Sequence, residues 1–294
     1  MRSTRWSLPA FAIALALSVL PQVAGAQPIP SGHAAGTVPG LTGAAAAGRA
    51  GAAARAFAEL HSSFRRDAVT PADQLHTDWG TFLTDNADDG LLATQSVIPN
   101  LTVRGGDFLY APTAKAPDGS CIEVTTAYDS DGPMLWAWDW CGSVSAAKVL
   151  DIDSSFLSTY TTTVNGRPAY TMDEVLTNGS TNTWTVYLYN HLTGGWDTFY
   201  TSSGSDKSGL NFGWDIFEVY TSQDPASGEG YFCEDSAGST VESSDVQLYD
   251  GSWSAANPQD APLSGSIPPG SSFYCPSLRF SLVTADSDWV GANG

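Results

Sequence analysis

The run Trp-Asp-Ile-Phe-Glu-Val-Tyr-Thr from Trp214 to Thr221 constrains the chain more than any other stretch. Its period of two puts Trp214, Ile216, Glu218 and Tyr220 on one face of a strand and Phe217 and Val219 on the other, where they can join a core. Glu218 is therefore expected on an aromatic face. The preceding residues have the same texture. Trp184, Val186 and Leu188 alternate with Thr185, Tyr187 and Tyr189, Asn190 to Gly195 supplies the glycines of a tight connection, and Trp196 to Thr201 resumes the alternation. That order predicts a hairpin.

From Leu101 onward, short alternating runs are separated by clusters of Gly, Ser, Asn, Asp and Pro. Expected strands are Phe108 to Ala111, Ile122 to Tyr128, Met134 to Cys141, Val149 to Asp153, Thr159 to Val164, Trp184 to Tyr189, Trp196 to Thr201, Trp214 to Thr221, Val246 to Tyr249 and Leu278 to Val283. So many short strands in about two hundred residues imply one all-β domain over 101–294, an antiparallel sandwich of two sheets. Residues 27–100 read as an N-terminal leader. Gln27 to Gly40 is rich in Pro, Gly and Ala, and Ala52 to Arg66 has the composition of a short helix. Pro71 to Leu92 fits neither pattern cleanly, with Trp79, Phe82 and Leu83 as its apolar contacts.

The first 26 residues combine Arg2 and Arg5, an apolar segment from Phe11 to Leu20 and the small-residue run Ala24-Gly25-Ala26, the pattern of a cleaved signal peptide. The expected product is secreted and begins near Gln27. No later run approaches the length of apolar sequence that a membrane span needs. Four cysteines in an oxidising compartment permit three pairings. Pairing of sequence neighbours, Cys121 with Cys141 and Cys233 with Cys275, ties adjacent strands and is the expectation here. Zinc is not expected, because no Cys or His pairs stand at ligand spacing.

Charge is distributed unevenly. Residues 27–70 hold four arginines against two acids, whereas residues 71–294 hold six basic residues against twenty-nine acidic ones. Such a field disfavours nucleic acid and anionic membrane as partners. It suits a monomer kept soluble by charge, or a protein working in acid, where the carboxylates are neutralised. The basic helix ahead of an acidic domain is either a pro-segment or an exposed N-terminal helix.

Candidate chemistry rests on carboxylates. His33, His61, His76 and His191 are few, three precede the expected β domain, and no serine or cysteine lies in a nucleophile motif. Val149 to Asp153 alternates so that Asp151 and Asp153 share a face, and two acids close to each other or to Glu218 could not all ionise easily. Calcium is the competing use of acids, but Asp88-Asp89-Gly90 and Asp129-Ser130-Asp131-Gly132 lack EF-hand spacing. No metal or cofactor is expected. Met134 to Cys141 places Trp136, Trp138 and Trp140 on one face and Asp139 on the other, either as a core stripe or as the wall of a groove.

The order of these features resembles the secreted glutamic peptidases, the eqolisins, whose fold is a β-sandwich of two curved sheets related to legume lectins. Leu135-Trp136-Ala137-Trp138-Asp139 resembles the family's Trp-containing strand, and Gly213-Trp214-Asp215-Ile216-Phe217-Glu218 resembles the strand that ends in its catalytic glutamate. The resemblance spans roughly residues 105–285. It implies a lectin-like jelly roll, a peptide or protein substrate, and Glu218 as general base. Val149-Leu150-Asp151 stands where the family has a leucine-glutamine pair, so Asp151 becomes the expected partner of Glu218. Neprosin-like peptidases, also similar in layout, use two glutamates, which makes a pair of carboxylates chemically admissible. Trp136, Trp138, Trp214, Tyr220 and Tyr187 are the expected binding residues. The competing reading is a noncatalytic sandwich that binds glycans through the same aromatic residues.

The leader has little β pattern and the opposite charge to the rest. A chain lacking residues 27 to about 70 is expected to fold and to unfold within a few degrees of the longer chain, as compared by circular dichroism melts. A trimmed chain without a cooperative transition would show that the leader is needed for the fold.

Overall fold

The computed structural model describes residues 75–84, 88–104, 107–142, 144–262 and 264–294. The expected signal peptide, leader helix and pro-segment lie outside them. Among the described residues the chain runs through β1 (Leu75–Leu83), β2 (Gly90–Ser96), β3 (Phe108–Lys115), β4 (Ile122–Asp129), β5 (Gly132–Asp139) and β6 (Ala146–Asp151). After helix α1 (Ser154–Tyr160) come β7 (Thr161–Val164), β8 (Arg167–Asn178), β9 (Thr183–Asn190), β10 (Gly195–Ser203) and β11 (Gly213–Thr221). Helix α2 (Tyr231–Asp235), β12 (Thr240–Tyr249), β13 (Trp253–Ala255), β14 (Leu278–Thr284) and β15 (Asp288–Asn293) complete it.

The strands form two antiparallel sheets. The smaller has the order β1-β11-β3-β4-β5-β6. The larger has the order β10-β9-β8-β2-β12-β15-β14, with β7 beside β8 and β13 beside β12. This is the expected all-β sandwich. Each sheet turns one set of alternate residues inward: Phe217 and Val219 of β11 pack with Phe280 and Trp289 of the larger sheet, and Val124, Leu135 and Ala137 pack with Tyr170, Met172 and Val186.

The sandwich interior also holds a polar network. Asp215 of β11 points inward and accepts hydrogen bonds from Gln95 Nε2 of β2 (3.0 Å), Ser243 Oγ of β12 (2.8 Å) and Trp289 Nε1 of β15 (2.7 Å). Gln95 Oε1 in turn accepts from the Tyr170 hydroxyl, which lies 2.9 Å from Thr126 Oγ1 of the smaller sheet. A carboxyl without such donors would be costly at this depth. Asp139, at the end of β5, makes a second tie between the sheets, accepting from the Tyr200 hydroxyl and Ser202 Oγ of β10.

Two local features set the approach of neighbouring strands. Pro112 cannot donate a ladder hydrogen bond, and it falls at a bulge of β3 that lets Tyr110 and Thr113 point the same way. Gly80 lets β1 lie close to β11, because a Cβ there would stand 2.5 Å from the Asp215 carbonyl oxygen. The disulfides join Cys121 to Cys141 and Cys233 to Cys275, with Cα separations of 5.0 and 5.1 Å, as neighbour pairing predicts.

Three expectations change. Among the described residues the sheets begin at Leu75 and not near residue 101, since β1, of nine residues, and β2, of seven, fall in the stretch expected to be leader. β8 lies outside the expected strands, and Glu174 interrupts the apolar alternation of its inward face. The structure satisfies that acid with the Ala116 amide (2.8 Å) and Ser120 Oγ (2.6 Å). The strand expected over Val149 to Asp153 ends at Asp151, and Asp153 caps α1 by accepting from the Phe156 amide at 2.9 Å.

Burial gives the fold a definite pH dependence. It pushes Asp215 up to about 6 against the donors that oppose it, and Asp173 and Glu174 up to about 7. Asp88 and Asp286 rise to about 6 through burial and the charge of nearby acids, Asp260 among them. Each of these groups binds its proton more tightly folded than unfolded, so stability is fully present below about pH 4 and falls as pH rises through about 6 to 7. Asp139 acts in the opposite sense. Burial raises it, but hydrogen bonds from Ser202, Gly142, Tyr200 and Cys141 outweigh burial and hold it below its ordinary value, so its contribution is lost only in stronger acid. Melting midpoints are expected to peak near about pH 4 and to fall toward about pH 7. A midpoint that climbs steadily across that interval would contradict the assignment.

Candidate functional site

The face of the smaller sheet turned away from the sandwich interior carries Glu218. Register fixes its surroundings. Glu218 of β11 lies directly across from Asp78 of β1 on one side and Tyr110 of β3 on the other. Opposed residues of an antiparallel pair share a face, with Cβ atoms about 5 Å apart. One step along β1 and β11, His76 lies across from Tyr220, and their rings stack at 4.2 Å. His76 Nε2 is 2.8 Å from Glu218 Oε1. Glu218 is fully buried and Tyr220 is 3% exposed.

A largely buried aromatic cluster extends from this acid across the sheet. Tyr110 lies 5.9 Å from Tyr220 and 5.4 Å from Trp136 of β5, ring to ring, with Ala127 of β4 beneath them. Trp136 and Trp138 are half-buried, and their indole nitrogens are buried without a hydrogen-bond partner among the described residues.

The opposite end of the same face is closed. Trp214 is fully buried among Phe82, Trp140 and Ile216 and is packed by Leu210 and Phe212. Its indole nitrogen donates to Glu123 (3.3 Å), which also accepts from Trp140 Nε1 (3.1 Å) and Thr113 Oγ1 (2.7 Å). Lys115, buried beside it, pairs with Asp206 at 3.1 Å and lies 5.3 Å from the centre of the Trp214 ring. This end holds the β11 and β3 strands in place. It offers no surface to a ligand.

Several expected site residues therefore separate. Glu218, Tyr220, Trp136 and Trp138 share one face, but Asp151 does not meet Glu218. Both belong to one row of the sheet, Glu218-Tyr110-Ala127-Met134-Asp151, and four strand spacings of about 4.8 Å put them about 19 Å apart. Asp151 is exposed on the edge strand β6. Tyr187 belongs to β9 of the larger sheet, on the opposite side of the sandwich, and Trp214 is packed rather than available.

The residues that do meet Glu218, His76 and Asp78, come from β1, in the stretch Pro71 to Leu92 that fits neither the leader nor the strand pattern cleanly. Their signal was the alternation of His76, Asp78, Gly80 and Phe82 with Thr77, Trp79, Thr81 and Leu83. Among the described residues no group of three or more His, Cys, Asp or Glu side chains is placed to hold a metal ion.

The structure is similar to solved structures of scytalido-glutamic peptidase bound to a peptide-based transition state analogue (TM-score 0.40, 16% identity) and to a transition state analogue inhibitor (TM-score 0.42, 14% identity). It is also similar to SCP-B, a member of the eqolisin family of peptidases, in a complex with the tripeptide Ala-Ile-His (TM-score 0.39, 15% identity). Each alignment covers 74% of this chain and 98% of the other. No family model and no curated protein sequence matches the chain.

Glu123 gives a direct test of the closed end. Glu123→Ala removes the acceptor shared by two indole N–H groups and the Thr113 hydroxyl, which keeps Thr125 Oγ1 at 2.8 Å, and each buried donor that loses its acceptor costs about 1 to 3 kcal/mol. A destabilisation of about 3 kcal/mol or more in urea unfolding is expected. A change within about 0.5 kcal/mol would show that the three donors find other partners.

Proposed function

We propose that the chain is a secreted, acid-acting endopeptidase of the glutamic type, with Glu218 as general base. The observation that carries this reading is the Glu218 carboxylate, buried on an aromatic face with Asp78 directly across and His76 Nε2 at 2.8 Å. Export is supported by the N-terminal pattern of residues 1–26 and by two disulfides. Work in acid is supported by buried carboxyls that favour their protonated form.

In the proposed reaction Glu218 takes a proton from water as the water oxygen attacks the scissile carbonyl. The new C–O bond forms as the carbonyl π pair moves onto its oxygen. Protonated Asp78 donates a hydrogen bond to that oxyanion, which an ionised carboxylate cannot do. The proton on Glu218 then passes to the departing nitrogen as the C–N bond breaks, and the carboxylate is restored. His76 orients Glu218 through its short contact. Asp78 thus takes the part that the resemblance implied for Asp151. Tyr110, Tyr220 and Trp136 position the peptide beside the acid.

The test is a casein digest by the mature protein at about pH 3 to 5, beside Glu218→Gln, Asp78→Asn and Asp151→Ala. Glu218→Gln keeps the shape but removes the base, so the rate is expected to fall by about a hundredfold or more while peptide binding persists. Asp151→Ala is expected to cleave like the wild type. No acid proteolysis by the wild-type protein, or unchanged proteolysis by Glu218→Gln, would overturn the proposal.

A further inference from the structure

A second group of unsatisfied polar atoms lies on the outward face of the larger sheet. Asp173 Oδ1 of β8, Trp196 Nε1 of β10, Gln247 Nε2 of β12 and His191 Nε2, just beyond β9, are all buried without a hydrogen-bond partner among the described residues. Their placement follows from register. Asp173 lies across from Tyr187 on one side and Leu92 on the other, Leu92 lies across from Gln247, and Trp196 lies across from Tyr189. The face spans four strand spacings from β10 to β12, about 19 Å. Gln247 is 4% exposed, so its amide has no access to bulk water in place of a partner.

Leaving one buried polar group unpaired costs about 1 to 3 kcal/mol, and four on one face demand a reason. Packing does not supply one, because their inward neighbours Val186, Leu188, Val246 and Leu248 already fill the core. The rings beside them, Tyr187, Tyr189 and Trp196, are half-buried.

We propose that this face binds a neutral oligosaccharide, independently of any reaction at Glu218. The chemistry narrows the ligand. Asp173 accepts, whereas the Trp196 indole and the Gln247 amide donate, so the ligand must present donors and acceptors close together, as hydroxyl groups do. Flat aromatic faces suit the C–H faces of sugar rings. Anions are disfavoured by the formal net charge of −19. Burial pushes Asp173 up to about 7, which keeps its desolvation tolerable in acid.

The experiment titrates the mature Glu218→Gln protein, in which proteolysis is removed from consideration, with cellohexaose, maltohexaose and N-acetylchitohexaose by calorimetry. At least one is expected to bind with a dissociation constant below about 1 mM. Gln247→Met and Tyr187→Ser are each expected to weaken it by about tenfold. Because the Gln247 amide is unpartnered in the free protein, Gln247→Met should melt no lower than its parent, which a purely structural amide would not permit. Saturation by none of the three sugars overturns the proposal. So does binding that neither substitution alters, or a Gln247→Met protein that melts lower yet binds normally.

Discussion

The inward-facing Asp215 carboxyl is the interaction on which the rest of the arrangement depends. Three donors from three different strands of the larger sheet converge on it, so the smaller sheet cannot slide over the larger without leaving a carboxyl and its donors unpaired at full burial. Because side chains alternate along a strand, fixing Asp215 inward also fixes Glu218, three residues later, outward. The core network and the candidate site are two readouts of one strand register. A buried acid is a poor source of stability in itself, and its use here is the specification of which face is which.

Around that register the sheet is built asymmetrically. At one end Trp214, Trp140, Phe82 and the Glu123 acceptor make a closed plug in which the aromatic nitrogens facing Glu123 are satisfied. At the other, Tyr110, Tyr220 and Trp136 cluster on the Glu218 side of the face, with Tyr110 directly across from Glu218. The difference comes from side-chain chemistry and not from backbone geometry, since the same strands β11, β3 and β5 contribute to both ends. Gly80 and the bulge at Pro112 bring the edge strand and β3 close enough for the row to be continuous.

Much of this was legible in the sequence. The alternation of Trp214 to Thr221 placed Glu218, Phe217 and Val219 on their observed faces, and the cysteine spacing gave the observed pairings. The expected Trp136 and Trp138 face was also observed, while Trp140 lies beyond the end of β5. What escaped was whatever depended on long-range pairing. Asp151 has the right parity to face Glu218, yet parity says nothing about how many strands intervene. β8 looked unlike a strand because Glu174 points inward, and only the Ala116 amide and Ser120, far away in the chain, make that tolerable. His76 and Asp78 were hidden for the same reason: their strand reads as a strand once β11 is beside it.

The pairing of β1 with β11 has a consequence for the history of each molecule. These two strands stand at opposite ends of most of the fold's sequence, with His76 and Glu218 142 residues apart. Contacts of such separation require closure of a long loop and reward it only when the intervening hairpins are already in place. The hairpins β3-β4, β4-β5 and β9-β10 can form locally, but the acid, the imidazole and the second carboxyl come together only when the first strand docks at the sheet edge. A chain still folding thus carries Glu218 without its neighbours, and any chemistry that needs all three is withheld until the sandwich is closed.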